Sequence, residues 1–351
     1  MKVLFIARTF SDAPGGMQQV SRNLLENLPV EKISILNKSV SRLSLVWFLP
    51  YSFFMGLIFG ASVDLIYLTD GVMAPVGRLL GKIYGKPVVA TMHGLELTYN
   101  NWFYNLFVKR SFAKLTKIIC VSNFTKSLCL QNGIAEDKLI TIPSGYSKIK
   151  LYEKNECRQR LISDNIDLKD HFTLITVGRL VKRKGVLWFL QNVFPKLGPD
   201  MKYLIIGDGP EHESIRKFIW QEKLKNRVYL IKNCSNTKRD ILLSAADLFL
   251  MPNIKVAGDV EGFGLVALEA ALTLKPIVAS AVDGLTSAVS DQMGILCPEK
   301  DTTCFVNSIN KFLNEEYYDQ FARSAYNYVK TTYTWEKTIN NYLNCFKEVI
   351  L

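Results

Sequence analysis

Two glutamates, Glu261 and Glu269, stand eight positions apart in the stretch GDVEGFGLVALEAA, residues 258–271. The spacing of apolar residues from Phe263 onward predicts a helix that begins at about Gly264, with Glu261 in the loop before it. Glycines let a ligand approach the backbone closely, and the first N–H groups of a helix favour an anion. A carboxylate two turns into the helix can accept hydrogen bonds from a pair of hydroxyl groups. The stretch therefore predicts a site for phosphate beside a polyhydroxyl group, the two parts of a sugar nucleotide.

Two other interpretations fit the same residues. Glycines before a helix that contains a glutamate are common where no ligand binds. The letters GFGLVA at 262–267, with Asp283 about twenty residues later, also fit the fingerprint of a dinucleotide site. That fingerprint requires a strand directly before its first glycine, whereas the strand candidate ADLFLMP ends near Pro252 and a polar loop follows. We therefore expect a sugar nucleotide rather than a nicotinamide dinucleotide.

The bulk composition is that of a globular protein with room for two domains. The chain has 351 residues, of which 48% are hydrophobic and 21% charged. Its seven cysteines are scattered, with no C-x-x-C pair or Cys/His cluster, so we expect neither a disulfide framework nor a zinc site. This cysteine usage favours the reducing cytoplasm. The apolar run at the N-terminus meets Arg8 too soon for a signal peptide.

The positive charge is concentrated in the first half of the chain. Residues 1–150 carry 17 Lys and Arg against 8 Asp and Glu, a net charge of +9 out of the total of +11. The excess indicates an anionic partner, either a membrane surface or a nucleic acid, although a charge run is often only a solvated helix face. Because the basic residues are not interleaved with aromatic ones as in a nucleic-acid reader, we expect no nucleic acid.

An uncharged, strongly apolar stretch covers residues 43–63 and is long enough to span a bilayer. Pro50, Gly56 and Gly60 interrupt it, and the strand-like VDLIYLT follows directly. A single crossing would leave the chain on the other side of the membrane, so a chain that returns to the same sheet cannot cross only once. The stretch is therefore either a helix that exposes an apolar patch to a membrane interface or a helix that is wholly buried.

Strand-like runs that end in site-like loops recur in both halves. In the first half, VLFIA precedes the loop of Gly15 and Gly16 with a helix from about Met17 to Leu28, and KPVVATM puts His93 at the end of a strand. In the second half, HFTLITV leads into the basic loop GRLVKRKG, and MKYLII leads into GDGPE. RVYLI, DLFLM and PIVAS complete a second parallel set. Two such domains in tandem imply a cleft between them, because ligands of parallel sheets bind at the carboxyl ends of the strands.

With these motifs the chain resembles the family 4 retaining glycosyltransferases of the GT-B fold. The resemblance rests on PGGMQQV at 14–20, MHGLE at 92–96, VSNFTK at 121–126, IPSGY at 142–146, VGRLVKRKG at 177–185, IIGDGPE at 205–211 and EGFGLVALEA at 261–270. It implies an α/β protein with two Rossmann-like β/α/β domains that face each other across a cleft. Residues 1–150 would form the acceptor-side domain, joined by a C-terminal crossing helix at about 335–351, and residues 151–334 the nucleotide-sugar domain.

The resemblance also implies the roles of individual residues. The residues implied to be catalytic are Glu261, Arg179, Lys184 and His93. Those implied to bind the donor are Gly15, Gly16, Gly207, Asp208, Gly209, Phe263, Gly264, Leu265 and Glu269. Arg179 and Lys184 would hold the diphosphate in place of a metal, Glu261 would contact the sugar hydroxyls, and Glu269 the ribose. Since three cations follow Arg179 in the loop, Lys184 is chosen among them by spacing alone.

The resemblance implies a hexosyltransferase that needs no metal and no cofactor besides its UDP-, GDP- or ADP-linked sugar. The sequence DVEGFG at 259–264 resembles that of enzymes that act on cell-envelope polysaccharides and glycolipids, which implies an acceptor that is lipid-linked or a saccharide. The enzyme would then be cytoplasmic and peripheral on the inner face of the membrane. One departure is DGLTSAV at 283–289, where the family usually has Pro-Glu. The alternatives are a relative with other chemistry, either a sugar-nucleotide epimerase or an inverting transferase, and a non-catalytic module that binds polyanions or membranes.

Overall fold

The structure is a computed structural model that describes residues 1–10, 15–39, 41 and 43–351. The chain divides into two compact units: the first comprises Met1–Gly145, Gly258–Phe263 and Tyr333–Leu351, and the second Tyr146–Ala257 and Gly264–Thr332. Each unit is built on a six-stranded parallel sheet, which confirms the predicted fold of two Rossmann-like α/β domains. Pro14 of the PGGMQQV motif lies outside the described residues.

The first unit has the strand order β2-β1-β3-β4-β5-β6, with all neighbours parallel. Its strands are β1 (Lys2–Ala7), β2 (Glu31–Leu36), β3 (Leu65–Leu68), β4 (Val88–Met92), β5 (Lys117–Cys120) and β6 (Leu139–Thr141). Its helices before residue 145 are α1 (Gly16–Asn27), α2 (Ser44–Phe59), α3 (Ala74–Tyr84), α4 (Leu95–Thr98), α5 (Trp102–Tyr104), α6 (Arg110–Phe112) and α7 (Asn123–Gln131). A π-helical turn, Asn105–Lys109, joins α5 to α6. The central strands β3 and β4 are wholly buried, as expected where helices cover both faces of a parallel sheet.

The second unit has the strand order β12-β11-β10-β7-β8-β9, again all parallel. Its strands are β7 (Phe172–Val177), β8 (Met201–Ile206), β9 (Val228–Ile231), β10 (Leu248–Met251), β11 (Ile277–Ser280) and β12 (Gly294–Cys297). Its helices are α8 (Lys154–Ile162), α9 (Val186–Asn192), α10 (His212–Gln221), α11 (Asn236–Ala245), α12 (Leu265–Leu272), α13 (Leu285–Ala288), α14 (Thr302–Lys311) and α15 (Glu315–Thr332). The last helix, α16 (Trp335–Ile350), belongs to the first unit.

Helices cover the two faces of the first sheet in a way that follows from the connections. Right-handed crossovers toward β6 put α2, α3 and α7 on one face, and the reverse step from β1 to β2 puts α1 on the other. On the latter face α16 packs its aromatic residues against Tyr67 of β3, whose ring centroid lies 6.0 Å from that of Tyr342 and 5.3 Å from that of Phe346. The carboxyl ends of all six strands meet at one edge of the sheet.

The apolar stretch at 43–63 forms α2 and a short 3-10 turn that follows it. Within the described residues, Ser44–Ser62 is the one segment long and apolar enough to cross a membrane by length and composition, yet only 22% of it is buried. The strands before and after it, β2 and β3, both pair with β1 in the same parallel sheet, so the segment returns to the side from which it started. The expectation of a partly exposed helix is confirmed, and the alternative of a wholly buried helix is wrong.

Candidate active site

In the second unit, the cations of the basic loop after β7 differ from one another in exposure. Lys182–Lys184 forms a 3-10 turn in which Lys184 is buried, whereas Lys182 and Arg179 are exposed. The Lys184 chain runs back toward the strand end, since a Cβ placed on Gly178 would lie 3.8 Å from its Nζ. Of the three cations in this turn, Lys184 is the buried one.

The GDG loop after β8 is fastened to this basic loop through the backbone. Leu180 N–H donates to the Asp208 carbonyl at 2.8 Å, and Glu211 N–H donates to the Leu180 carbonyl at 3.0 Å. Gly207 has a φ of +156°, and a Cβ there would lie 1.9 Å from the Gly178 carbonyl oxygen. Only glycine allows this approach, so the two predicted donor loops form one connected rim at the carboxyl ends of β7 and β8.

Asp208 lies exposed on this rim in a defined orientation. Its Oδ1 accepts from Gly209 N–H at 2.8 Å, and its Oδ2 lies 3.1 Å from Lys232 Nζ. These contacts, the backbone N–H first, hold the pKa of the Asp208 carboxyl below its usual range. The group is therefore an ionised acceptor near neutral pH.

The start of α12 lies at the neighbouring strand end. Gly264 is its N-cap, with a φ of +94°, and a Cβ there would lie 3.4 Å from the Cε of Met251, the last residue of β10. Glycine brings no side chain to cap the helix, and the first intrahelical bond runs from Ala267 N–H to the Gly264 carbonyl at 2.9 Å. The amides of Leu265 and Val266 precede that bond, so the positive end of the helix can receive an anion.

Glu269 lies in the second turn of α12 and is buried. Its Oε2 lies 3.6 Å from Arg239 Nη1 on α11, and the same guanidinium contacts Asp240 Oδ1 at 3.1 Å through Nη2. Asp240 in turn accepts from Lys150 N–H at 3.1 Å through Oδ2. The carboxylate predicted to accept from ribose hydroxyls is thus paired with a cation on the neighbouring helix α11.

In the first unit, His93 follows β4 at the carboxyl edge of the sheet. Its Nε2 lies 3.0 Å from the Thr69 carbonyl oxygen, and its backbone N–H donates to Glu96 Oε1 at 2.7 Å. Because a carbonyl only accepts, the contact requires a proton on Nε2. In the neutral ring Nδ1 is then the acceptor.

The segment 258–263, which carries Glu261, packs on the ends of β4 and β5. A Cβ on Gly262 would lie 2.0 Å from the His93 carbonyl oxygen, and Ser122 Oγ–H donates to the Gly262 carbonyl at 2.6 Å. On the other side of Gly262, the ring of Phe263 lies 5.7 Å from that of Tyr333. Glu261 therefore directly precedes Gly262, the residue that packs against the His93 carbonyl.

The same edge of the first sheet carries an ion pair and two unpaired hydroxyl groups. Arg8 Nε, after β1, lies 3.0 Å from Oδ2 of Asp70, which follows β3 and is fully buried. Within the described residues, Thr9 Oγ1 and Thr69 Oγ1 are buried without a hydrogen-bond partner. Buried hydroxyl groups are normally satisfied, so these atoms favour a polar ligand at this edge.

The structure thus gathers the predicted residues into two groups, one in each unit. The group of the second unit is Arg179, Lys184, Gly207, Asp208, Gly209, Gly264, Leu265 and Glu269. The group of the first unit is His93, Glu261, Phe263, Gly15 and Gly16. Gly15 and Gly16 are exposed at the start of α1, where Gln19 N–H donates to the Gly15 carbonyl at 3.1 Å.

Two family models match the chain, and together they cover both units. Residues 10–147 match the model of Glycosyltransferase Family 4, and residues 158–330 match that of Glycosyl transferases group 1. The chain belongs to the family of group 1 and family 4 glycosyltransferases. Its two sheets and its structural neighbours show the GT-B fold.

Curated relatives of this glycosyltransferase are distant. The Phosphatidylinositol N-acetylglucosaminyltransferase GPI3 subunit of Saccharomyces cerevisiae is 25% identical over 248 residues, which are 68% of this chain and 52% of that protein. The Capsular polysaccharide biosynthesis glycosyltransferase CapM of Staphylococcus aureus is 26% identical over 253 residues, 69% of this chain and 65% of that protein. The chain therefore spans about half the length of the yeast relative it matches.

Solved structures resemble the glycosyltransferase over nearly its whole length. Anabaena HepE in complex with UDP and glucose has a TM-score of 0.79 at 18% identity, covering 99% of this chain and 100% of that chain. Sucrose-phosphate synthase from Thermosynechococcus elongatus has a TM-score of 0.82 at 19% identity, covering 99% of each chain. At these identities the likeness shows the fold.

Three polar groups of the glycosyltransferase's candidate site were not predicted from its sequence: Arg239, the Arg8–Asp70 pair and the Ser122 hydroxyl as a donor to Gly262. Arg8 and Asp70 did carry a signal, because each directly follows a buried strand, where parallel sheets place ligands. Ser122 is the N-cap of α7, where its Oγ accepts from Thr125 N–H at 3.0 Å, and a cap position does not by itself indicate a contact with Gly262. Nothing in the sequence around Arg239 indicates that it meets Glu269, which lies thirty positions later on another helix.

Proposed function

We propose that this glycosyltransferase moves a hexose from a nucleotide sugar to a lipid-linked or saccharide acceptor, with retention of the anomeric configuration and without a metal. The observation that carries the proposal is the connected rim of the second unit. There the Arg179–Lys184 loop is bonded to the GDG loop, beside a strand end where α12 begins with uncapped amides. Cations, helix amides and a buried carboxylate are the groups that a diphosphate joined to a ribose requires.

In this proposal the second unit binds the nucleotide part of the donor. Arg179, Lys184 and the amides of Leu265 and Val266 bind the diphosphate, and Glu269 accepts from the ribose hydroxyls. The GDG loop lies near the base. Support comes from HepE, whose structures hold UDP, UDP and glucose, and UDP-glucose. The donor is a UDP-, GDP- or ADP-linked sugar, and thermal unfolding with each of the three identifies its base and sugar.

The chemistry proposed is departure of the diphosphate with attack by the acceptor hydroxyl from the same face. As the bond between the anomeric carbon and the phosphate oxygen breaks, negative charge grows on that oxygen, and the acceptor's proton passes to it. Lys184 and Arg179 stabilise this charge, an effect worth roughly 3–4 kcal/mol for one well-placed donor. Such stabilisation by side chains is why we propose no metal.

Residues of the first unit would serve the sugar and the acceptor. Glu261 accepts from sugar hydroxyls, and His93, with its proton held on Nε2 by the Thr69 carbonyl, offers Nδ1 as an acceptor to another hydroxyl. Phe263, Gly15 and Gly16 contribute backbone beside the donor.

We also propose that the acceptor is part of a glycolipid or an envelope polysaccharide. The yeast and staphylococcal relatives are named for phosphatidylinositol and for capsular polysaccharide, which supports this class of acceptor. Such acceptors are assembled where nucleotide sugars are made, so the enzyme would work in the cytoplasm at the inner face of the membrane.

The test begins with thermal unfolding of the full chain in the presence of UDP-, GDP- and ADP-sugars, because a ligand that binds only the native state raises its stability. The donor that raises the midpoint is then used for turnover with and without EDTA, and the product is analysed by NMR. We expect undiminished turnover with EDTA and an anomeric configuration equal to that of the donor. Loss of turnover with EDTA refutes metal independence, and an inverted product refutes retention.

A further inference from the structure

Helix α2 exposes a continuous apolar stripe on the surface of the first unit. Its opposite side is buried through Phe48, Ser52 and Gly56. Trp47 is 79% exposed and Phe54 is 68% exposed. The stripe consists of Leu43, Val46, Trp47, Tyr51, Phe54 and Ile58, which recur at the helical period of three or four residues. A helix that packed only against its own protein would turn these side chains inward.

Neighbouring elements extend the stripe into a broader surface. α3 packs against α2, where Tyr84 O–H donates to the Leu57 carbonyl at 2.5 Å, and it packs against α6 on its other side. These elements belong to one layer, because their crossovers run in the same direction along the sheet. The layer's further exposed apolar residues are Leu79, Ile83, Trp102, Phe103 and Phe107. We call α2, α3 and residues 102–114 the apolar layer.

The charges on the apolar layer are of one sign. Four exposed cations lie among its apolar side chains: Arg78, Lys82, Arg110 and Lys114. Between residues 65 and 135 the sequence contains only two acidic residues, Asp70 and Glu96, and both are buried. The layer therefore presents aromatic and aliphatic groups beside positive charge, with no exposed carboxylate among residues 65–135.

This combination distinguishes among possible occupants. A second copy of the chain would bring the same cations against each other, which like-charge repulsion disfavours. An anionic lipid surface complements the cations and accepts apolar side chains into its interface, where tryptophan is especially favoured. An exposed apolar area of this kind marks a binding surface rather than ordinary solvent-facing surface.

We propose that the apolar layer docks on an anionic phospholipid bilayer, with α2 lying in the plane of the interface. The axis lies in that plane because the stripe runs the whole length of the helix and both ends return to the sheet. Trp47 and Trp102 enter the boundary between headgroups and acyl chains, and the four cations contact lipid phosphates. This inference does not depend on the glycosyl transfer proposed above, since docking needs neither donor nor acceptor.

The test is flotation of the full chain with vesicles of phosphatidylcholine alone and with phosphatidylglycerol added, without any nucleotide sugar. We expect binding to the mixed vesicles that weakens with salt. The double substitution Trp47→Ser/Phe54→Ser should abolish it, whereas Trp220→Ser should not, since Trp220 is 64% exposed but lies on the second unit. Because all three side chains face solvent, each variant should keep the wild-type thermal midpoint.

A charge pair tests the second part of the surface. Arg110→Gln/Lys114→Gln should weaken binding by roughly fivefold for each charge removed, whereas Lys217→Gln/Lys225→Gln on the second unit should not weaken it comparably. Brominated lipids should quench less of the fluorescence in Trp47→Phe/Trp102→Phe than in Trp220→Phe.

Three outcomes would overturn the proposal. They are no vesicle binding by the wild type at low salt, equal loss of binding in the Trp220→Ser control, and a dimer that Trp47→Ser/Phe54→Ser dissociates while vesicles are ignored. The last result would make a second copy of the chain the occupant of the apolar layer.

Discussion

Arg239 Nη1 lies 3.6 Å from Glu269 Oε2, and this pair joins α11 to the helix at which the donor is proposed to bind. Both side chains are largely buried, so their attraction is screened less than that of a surface pair. Arg239 also contacts Asp240, which leaves its guanidinium between two carboxylates. If Glu269 binds the ribose as proposed, Arg239 is a positioning residue that acts on the donor through Glu269.

Replacing Arg239 should weaken donor binding more than it slows the chemical step. Arg239→Ala leaves Glu269 without its cation, and we expect the KM for the donor to rise by about tenfold, since a charge-assisted contact contributes about 1.5–3 kcal/mol. The value of kcat should change less, because the ribose is remote from the bond that breaks. Arg239→Lys should recover part of the loss. Arg216→Ala, which removes a surface arginine paired with Glu213, is the matched control. An unchanged donor KM in Arg239→Ala would show that Glu269 does not need this partner.

Lys184 and Lys182 offer a comparison within one turn. Lys184 is buried, and Lys182, two residues earlier, is exposed. If Lys184 stabilises the leaving diphosphate, Lys184→Ala should lower kcat by about 100-fold or more, the usual effect of losing one preorganised donor. Lys182→Ala should stay within about twofold, because a solvated surface charge contributes little. Steady-state kinetics and far-UV circular dichroism on both variants are the measurement. Equal losses in the two variants would mean that the loop acts through its total charge instead of through one placed ammonium group.

Much of the fold could be predicted because the strands of parallel sheets are buried on both faces and therefore read as short, unbroken apolar runs. The runs VLFIA, LIYL and FTLITV became β1, β3 and β7, and the helix expected at about Gly264 begins at Leu265. The helix expected from Met17 to Leu28 runs from Gly16 to Asn27. Each of these segments carries its signal in its own residues, either as unbroken apolar character or as a glycine at a helix start.

The elements that were missed have signals that are weak or lie elsewhere in the chain. β2, with the sequence EKISIL, lies at the edge of the first sheet and buries fully only one of its six residues, so its apolar pattern is faint. β12, with the sequence GILC, is another edge strand and only four residues long. The partnership of Arg239 with Glu269 depends on how two helices pack, which no local pattern records. Composition left open whether α2 was buried, because an apolar helix looks the same in a core and at an interface.

Gly262 should not tolerate a side chain. A Cβ there would lie 2.0 Å from the carbonyl oxygen of His93, a backbone atom that cannot rotate away. Gly262→Ala should therefore displace the segment that carries Glu261 or destabilise the first unit by about 1–3 kcal/mol, and activity should fall in either case. Gly198→Ala is the control, since Gly198 has open space around its Cβ position. Urea unfolding together with donor turnover separates the two results. Wild-type stability combined with wild-type turnover would show that the close packing of Gly262 on His93 is unimportant.

A second prediction about stability concerns Lys275, which is buried at the amino-terminal edge of the second sheet, away from the proposed donor site. Burial is the largest cause that lowers the pKa of Lys275 to about 8. Asp247 raises this pKa in part, and Lys154 and Arg158 lower it further. Asp247 is itself engaged by both of those cations and by Thr173 N–H at 2.7 Å. Lys275 is thus a charged group whose folded environment favours the neutral form.

The sign of the pH dependence follows from where the proton is held. The unfolded chain keeps the Lys275 proton up to about pH 10.5, the ordinary pKa, whereas the folded chain releases it at about pH 8, so folding is penalised below pH 8 and the penalty fades between these values. Lys275→Met removes the ammonium and keeps the apolar chain. It should raise the free energy of unfolding at pH 7 by roughly 2–4 kcal/mol, and by much less at pH 10.

Since other groups also titrate in this range, the quantity to measure is the difference between variant and wild type in urea unfolding across pH 7–10. Lys196→Met, at a surface lysine of the same unit, should give a difference that does not change with pH. A Lys275→Met difference that is equally flat, or that grows toward pH 10, would mean that the buried lysine is stabilised as a cation by its neighbours.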